Sequence, residues 1–128
     1  MMVAGIGCRT GASAEDILAA VAAAVAAAGR GPPVALATLA DKSGEAGLVA
    51  AARQLGVPVI AVALSDMQAV ADRVVTRSAR VAELKGVPSV AETAALVAAG
   101  DGARLIVARI IAGAATCAIA AGRGDTTP

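Results

Sequence analysis

No phenylalanine, tyrosine, tryptophan or histidine occurs in this chain of 128 residues. Without aromatic faces there is no platform on which the bases of a single strand could stack. The formal net charge of +1 leaves no basic footprint for a phosphate backbone, so nucleic acid is not an expected partner. Without imidazole, a Ser-His-Asp triad and any His-containing zinc site are excluded. Acid–base work would fall to Asp, Glu, Lys or Cys. Cysteine is scarce: Cys8 and Cys117 stand far apart and fit no C-x-x-C pattern, so no metal site and no cofactor is expected. Long apolar runs are missing too. The longest, Ile17–Ala28, falls well short of the ~20 residues a membrane span needs, despite a mean hydropathy of +0.76. Residues 1–5 carry neither a basic segment nor a long apolar one, so export is not expected. A cytoplasmic location with reduced thiols is.

What is present is a hydrophobic fraction of 58% against 16% charged residues, the balance of a folded chain. The length suits one domain, placed at residues 1–121, with a frayed polar tail at 122–128. Much of the apolar content is alanine, so the core must be thin and closely packed, with Leu, Ile and Val supplying the volume.

Met2–Ile6 reads as a buried strand running into glycines. Ser13 opens a helix that runs to Ala28 and stops at Gly29, with Glu15 and Asp16 suited to its positive end. Val34–Leu39 is a second strand, followed by the polar loop Asp41–Gly44. A second helix runs from about Glu45 to Leu55, stopped by Gly56, and Pro58 opens a third strand over Val59–Leu64. Ser65 is a candidate cap for a short helical turn, and residues 72–86 carry no clear pattern. Ser89 and Glu92 form an S-x-x-E capping box for a helix ending near Gly100. Arg104–Ala108 and Thr116–Ala120 read as strands separated by Ile110–Ala115. Alternating strands and helices in the first half predict parallel pairing with right-handed crossovers, and the last two strands, too close for a crossover, predict antiparallel pairing. The expected fold is a three-layer α/β/α sandwich with a mixed sheet of about five strands.

Gly5, Gly7 and Gly11 lie between the first strand and its helix, where an α/β fold places ligands. Free N–H groups at a helix start attract anions, and Arg9 adds a guanidinium that can grip a carboxylate or phosphate. A tight turn explains the same glycines without a ligand. The spacing is one residue longer than the dinucleotide fingerprint, in which Asp41 would hold the ribose, so a nucleotide-type anion module is an alternative. Cys8 reads as a small buried side chain; the other reading is a thiol activated by Arg9 and the helix start.

The run Gly5-Ile6-Gly7-Cys8-Arg9, with Gly11, Ser13 and Glu15, resembles the opening motif of the CobE / CbiG C-terminal family. The likeness recurs in order. Lys42, Glu45, Gly47 and Leu48 match K-x-x-E-x-G-L, and Leu55–Pro58 matches L-G-x-P. Gly86–Leu96 matches G-x-P-S-V-A-E-x-A-A-L, and the Leu105–Val107 and Thr116–Ala120 segments resemble the family's final strand pair. Arg109 stands where many relatives carry Lys. The resemblance implies a role in cobalamin (corrin ring) biosynthesis, with a carboxylated precorrin intermediate as partner, and other enzymes of that pathway as further partners. As candidate ligand contacts it implies Gly7, Cys8, Arg9, Gly11, Ser13, Lys42, Lys85 and Ser89, with small residues leaving room for a wide macrocycle. Ser13 and Ser89 read first as helix caps. An accessory or carrier without chemistry of its own is the main expectation. The alternative is a precorrin-processing hydrolase that opens a lactone, with Glu45, Glu92 or Lys42 as acid or base. Hydrolase members of the family carry additional N-terminal segments that are not in this sequence.

Overall fold

The structure, a computed structural model, describes residues 2–73 and 89–122. The expected Lys85 and Gly86, and all of the expected polar tail 122–128 beyond Gly122, lie outside those residues.

Strand β1 (Met2–Cys8) sits at the centre of a five-stranded mixed sheet. Its side chains alternate between two buried faces, so it reads as a continuous apolar run. Helix α1 (Ala14–Ala28) follows. Ser13 caps it as expected, its hydroxyl accepting from Asp16 N at 3.1 Å, and Gly29 ends it in the left-handed region at φ 65°. Strand β2 (Ala35–Leu39) leads through a 3-10 turn at Ala40–Lys42 into helix α2 (Ala46–Leu55), which Gly56 stops at φ 72°. Strand β3 (Val59–Val62) is followed by helix α3 (Leu64–Ala69). The cap expected at Ser65 is displaced by two residues: the helix begins at Leu64, on an extended Ala63 without a side-chain cap. Ser89 caps helix α4 (Val90–Ala99), its hydroxyl accepting from Glu92 N at 3.3 Å. Strands β4 (Arg104–Ala112) and β5 (Ala115–Ala121) complete the sheet.

The sheet order is β3-β2-β1-β5-β4. β1, β2 and β3 pair in parallel, and β5 pairs antiparallel with both β1 and β4, as the loop lengths require. The connector expected at Ile110–Ala115 is a correction: Ile110–Ala112 continues β4, and only Gly113 and Ala114 separate the strands. β4 is also irregular. Its register against β5 slips between Leu105 and Val107 and again between Val107 and Ile110, each slip adding one residue to β4.

Helices cover both faces. Ile17, Val21 and Leu48 from α1 and α2 pack on Ala4, Ile6, Leu36, Cys117 and Ile119. On the opposite face Met67 of α3 and Ala94, Ala95 and Leu96 of α4 pack on Val3, Ala37, Leu39 and Ala120. Alanine and glycine let the second layer close in tightly. A Cβ on Gly5 would stand 1.9 Å from the Ala91 carbonyl oxygen, so α4 rests directly on the β1 backbone. Among the described residues no helix is long and apolar enough to cross a membrane.

Candidate functional site

Carboxyl ends of parallel strands leave a crevice where successive connections turn away to opposite faces. Here α1 leaves β1 toward one face, while α4 covers the other and the β4–β5 hairpin closes the side. The result is an open cleft of about 740 Å³. The end of β1 supplies Gly7 and Cys8, and the following loop supplies Arg9 and Thr10. Leu39 and Lys42 line it from the end of β2, and Val90 from the start of α4. The far wall is Arg109 and Ile111 of β4, then Gly113–Thr116 of the hairpin.

The floor is cross-tied. Arg9 N donates to Ala114 O at 3.1 Å, and Ala114 N donates to the Asp16 carboxylate at 3.0 Å. The Thr116 hydroxyl donates to Gly7 O at 3.3 Å. Asp16, read from sequence as a helix-start acid, therefore also anchors the hairpin turn. The local sequence shows no sign of this, because its partner lies at the other end of the chain.

Four of the expected ligand residues line the cleft: Gly7, Cys8, Arg9 and Lys42. Gly11, Ser13 and Ser89 do not, and each has a structural task. Gly11 turns at φ 80°, and its N–H donates to the Glu45 carboxylate at 2.9 Å. Ala12 N donates to Arg9 O at 3.0 Å. Three of the loop amides, those of Arg9, Gly11 and Ala12, are thus spent inside the protein, one of them on the chain's own carboxylate. Ser13 is a cap, and Ser89 is a fully buried one. Glu45 and Glu92, the candidate acids, are likewise engaged. Glu92 is fully buried and accepts from Arg109 N at 2.9 Å, reaching across to β4.

Electrostatically the cleft is one-sided. Arg9, Lys42 and Arg109 line it, and no carboxylate does so among the described residues. Lys42 Nζ donates to the Thr10 hydroxyl at 2.7 Å, which holds its charge over the loop. Arg109 has no motif of its own. β4 turns over at each of its two slips, Leu105 packing on the α4 side and Val107 on the α1 side, and the second slip returns Arg109 to the cleft face. Cys8 is half-buried, and burial pushes its thiol up from the ordinary value, with Lys42 pulling it partly back and Glu45 adding to the rise. The activated-thiol reading is thereby corrected: desolvation outweighs the nearby cation, and the neutral form prevails at pH 7.

Residues 2–120 match the family described as cobalamin synthesis G C-terminus. The chain is 36% identical over 121 residues to Protein CobE of a Sinorhizobium species, covering 93% of this chain and 79% of that one. Among solved structures it is similar to CobE, a protein from the cobalamin (vitamin B12) biosynthetic pathway, at 34% identity and a TM-score of 0.87, covering 94% of this chain and 92% of that one. It is also similar to the cobalamin biosynthesis protein chiG from Agrobacterium tumefaciens, at 45% identity and a TM-score of 0.76, covering 96% of this chain and 99% of that one.

Proposed function

The chain belongs to the cobalamin synthesis G C-terminus family, the family of CobE and of the CbiG C-terminal domain, and from that membership we propose that its cleft binds a carboxylated corrin-type intermediate as an accessory or carrier. It is a cobalamin-biosynthesis protein. The observation that carries the binding reading is the set of three cations, Arg9, Lys42 and Arg109, around one open cleft lined by no acid among the described residues. Corrin intermediates carry several side-chain carboxylates around a wide, flat ring. Guanidinium groups grip carboxylates in two-point hydrogen bonds, and a lysine adds a point charge. An open cleft lets such a ring lie across it with part of its rim in solvent. Small residues at Gly7, Gly113 and Ala114 keep the floor low, while Leu39, Val90 and Ile111 give apolar surface for the ring.

Binding is favoured over catalysis because the candidate acids have other work. The Glu45 carboxylate holds Gly11 N and that of Glu92 holds Arg109 N, which leaves Lys42 as the candidate acid or base on the cleft wall.

The test is a visible-absorbance titration with cobyrinic acid, a corrin whose side chains are free carboxylates. Wild-type protein saturates, and Arg9→Ala weakens binding about tenfold, the loss expected for one charge-assisted contact. Unchanged affinity in Arg9→Ala removes the loop from the site. Release of acetaldehyde from a lactone-bearing precorrin would replace the carrier reading with that of a hydrolase.

A further inference from the structure

We propose that Glu92 is a positioning residue: its buried carboxylate holds the second bulge of β4 and thereby sets Arg109 on the cleft wall, making Arg109 a third anchoring cation for the guest. The inference deepens the carboxylate-binding reading and rests on it.

The argument starts from the period of a strand. Val107 is buried against the α1 side of the sheet. Strict alternation from Val107 would carry Arg109 and Ile111 to that same face, beneath α1, and Ile110 to the opposite one. The structure has the reverse. Ile110 and Ala112 pack against the α1-side core, whereas Arg109 and Ile111 line the cleft. The first slip turns β4 over between Leu105, on the α4 side, and Val107, on the α1 side. The second, between Val107 and Ile110, turns the later side chains back and so produces the exchange.

A bulge takes a backbone donor out of the ladder, and a donor shielded from water needs another acceptor. Glu92 supplies it. The residue is fully buried on α4, the helix covering the cleft side of the sheet, and its Oε2 accepts from Arg109 N at 2.9 Å. The bonded amide belongs to the very residue whose side chain the bulge re-aims. A carboxylate is a stronger acceptor than the neutral carbonyl it replaces. α4 itself cannot drift, since it is seated on Gly5. A fixed helix thus carries a fixed acceptor, the acceptor fixes the bulge, and the bulge presents the cation.

The experiment combines a double-mutant cycle with a measurement that needs no ligand. Cobyrinic acid is titrated against wild type, Arg109→Ala, Glu92→Ala and the double variant, and exchange of the Arg109 amide proton is followed by NMR. Arg109→Ala weakens binding about tenfold. Glu92→Ala weakens it by about the same factor, and the double variant binds no more weakly than Arg109→Ala alone, because both remove one contact. In Glu92→Ala the Arg109 amide exchanges at least about tenfold faster than in wild type while its neighbours on β5 do not. Glu92→Gln retains a side-chain carbonyl and binds within about twofold of wild type, with the Arg109 amide proton shifted upfield. Losses that multiply in the double variant, or an unaltered Arg109 amide in Glu92→Ala, overturn the proposal. If Glu92→Ala does not fold, the amide shift in Glu92→Gln decides, and an unmoved resonance overturns it. Failure of wild-type protein to bind the corrin overturns the reading of the cleft, whereas the amide measurements still judge whether Glu92 holds the bulge.

Discussion

The two halves of the sheet follow different rules. In the parallel half, β1, β2 and β3 pair without interruption, Val3 with Ala35 and Leu36 with Val59, and successive residues serve the two faces in strict turn. In the antiparallel half, β5 is equally regular against β1, from Met2 with Ala121 to Cys8 with Ala115, but β4 slips twice against β5. The regular ladder builds a core and leaves its loops at one end of the sheet. The irregular edge strand brings a charged side chain to those loops from the side. The two slips each turn β4 over once: the first carries Val107 to the α1-side core and the second returns Arg109 to the cleft. A strand with the first slip alone would lose Arg109 from the cleft.

The strongest way to break this comparison is to disturb the strand that both halves share. Gly5 pairs with Ala37 on one side and Ala118 on the other. Gly5→Ala forces its new methyl against the Ala91 carbonyl, which is helix backbone and cannot rotate aside. A loss of about 3 kcal/mol or more in urea unfolding is expected, at the upper end of overpacking costs. In Gly7→Ala the nearest atom is the Thr116 hydroxyl, which can turn away, so a cost of about 1 kcal/mol is expected. Equal costs for the two would show that α4 is not seated on β1 as described.

The second test sharpens the account of β4. Ile110 packs against the α1-side core. Ile110→Asn places an amide there and should cost about 2 kcal/mol in the same unfolding measurement. A cost near zero would mean that Ile110 faces outward and the second slip is absent.

These two sites also mark where the sequence was legible. β1 and the helices starting at Ser13 and Ser89 carry period and cap signals that depend on nearby residues, and the structure keeps them. The helix stops at Gly29 and Gly56 are local in the same way. The β4–β5 hairpin was legible in its two strands and their antiparallel pairing, but not in the length of β4 or the place of the turn. Its two-residue turn, Gly113-Ala114, lacks the Asn-Gly type of signal, and the bulges erase the alternation that would mark Ile110–Ala112 as strand. The same holds for the site. Arg9 and Lys42 could be found because they flank strand ends. That Glu45 would claim the Gly11 amide and Glu92 the Arg109 amide depends on contacts between distant segments, which no local pattern encodes.

Cys117 lies where the regular and irregular ladders meet, paired with Ile6 on one side and Ile110 on the other. Burial pushes its thiol from 9.0 up to about 12. Between those values the folded chain holds a proton that the unfolded chain releases, so stability is full below pH 9 and falls as pH rises toward 12. At pH 10 the loss relative to neutral pH is about 1.4 kcal/mol from this group. Unfolding measured in a Cys8→Ala background isolates it, and adding Cys117→Ala should flatten the alkaline decline. A decline that survives both substitutions would place the sensitivity elsewhere.

The smallest effect is the most pointed. Ile111 is 66% exposed on the cleft wall, next to the buried-facing Ile110. Ile111→Asn should change stability by no more than about 0.5 kcal/mol, because nothing is packed against most of the side chain. The two isoleucines are chemically identical neighbours, so composition and propensity cannot separate them; only the face each one meets can. A strand without its second slip would exchange the two responses, making Ile111→Asn the costly change and Ile110→Asn the silent one. The same exchange would carry Arg109 beneath α1, where a guanidinium without a partner is strongly destabilising. The difference between the two asparagine variants therefore reads the register of β4 directly, with no ligand present, and its sign tells which face Arg109 occupies.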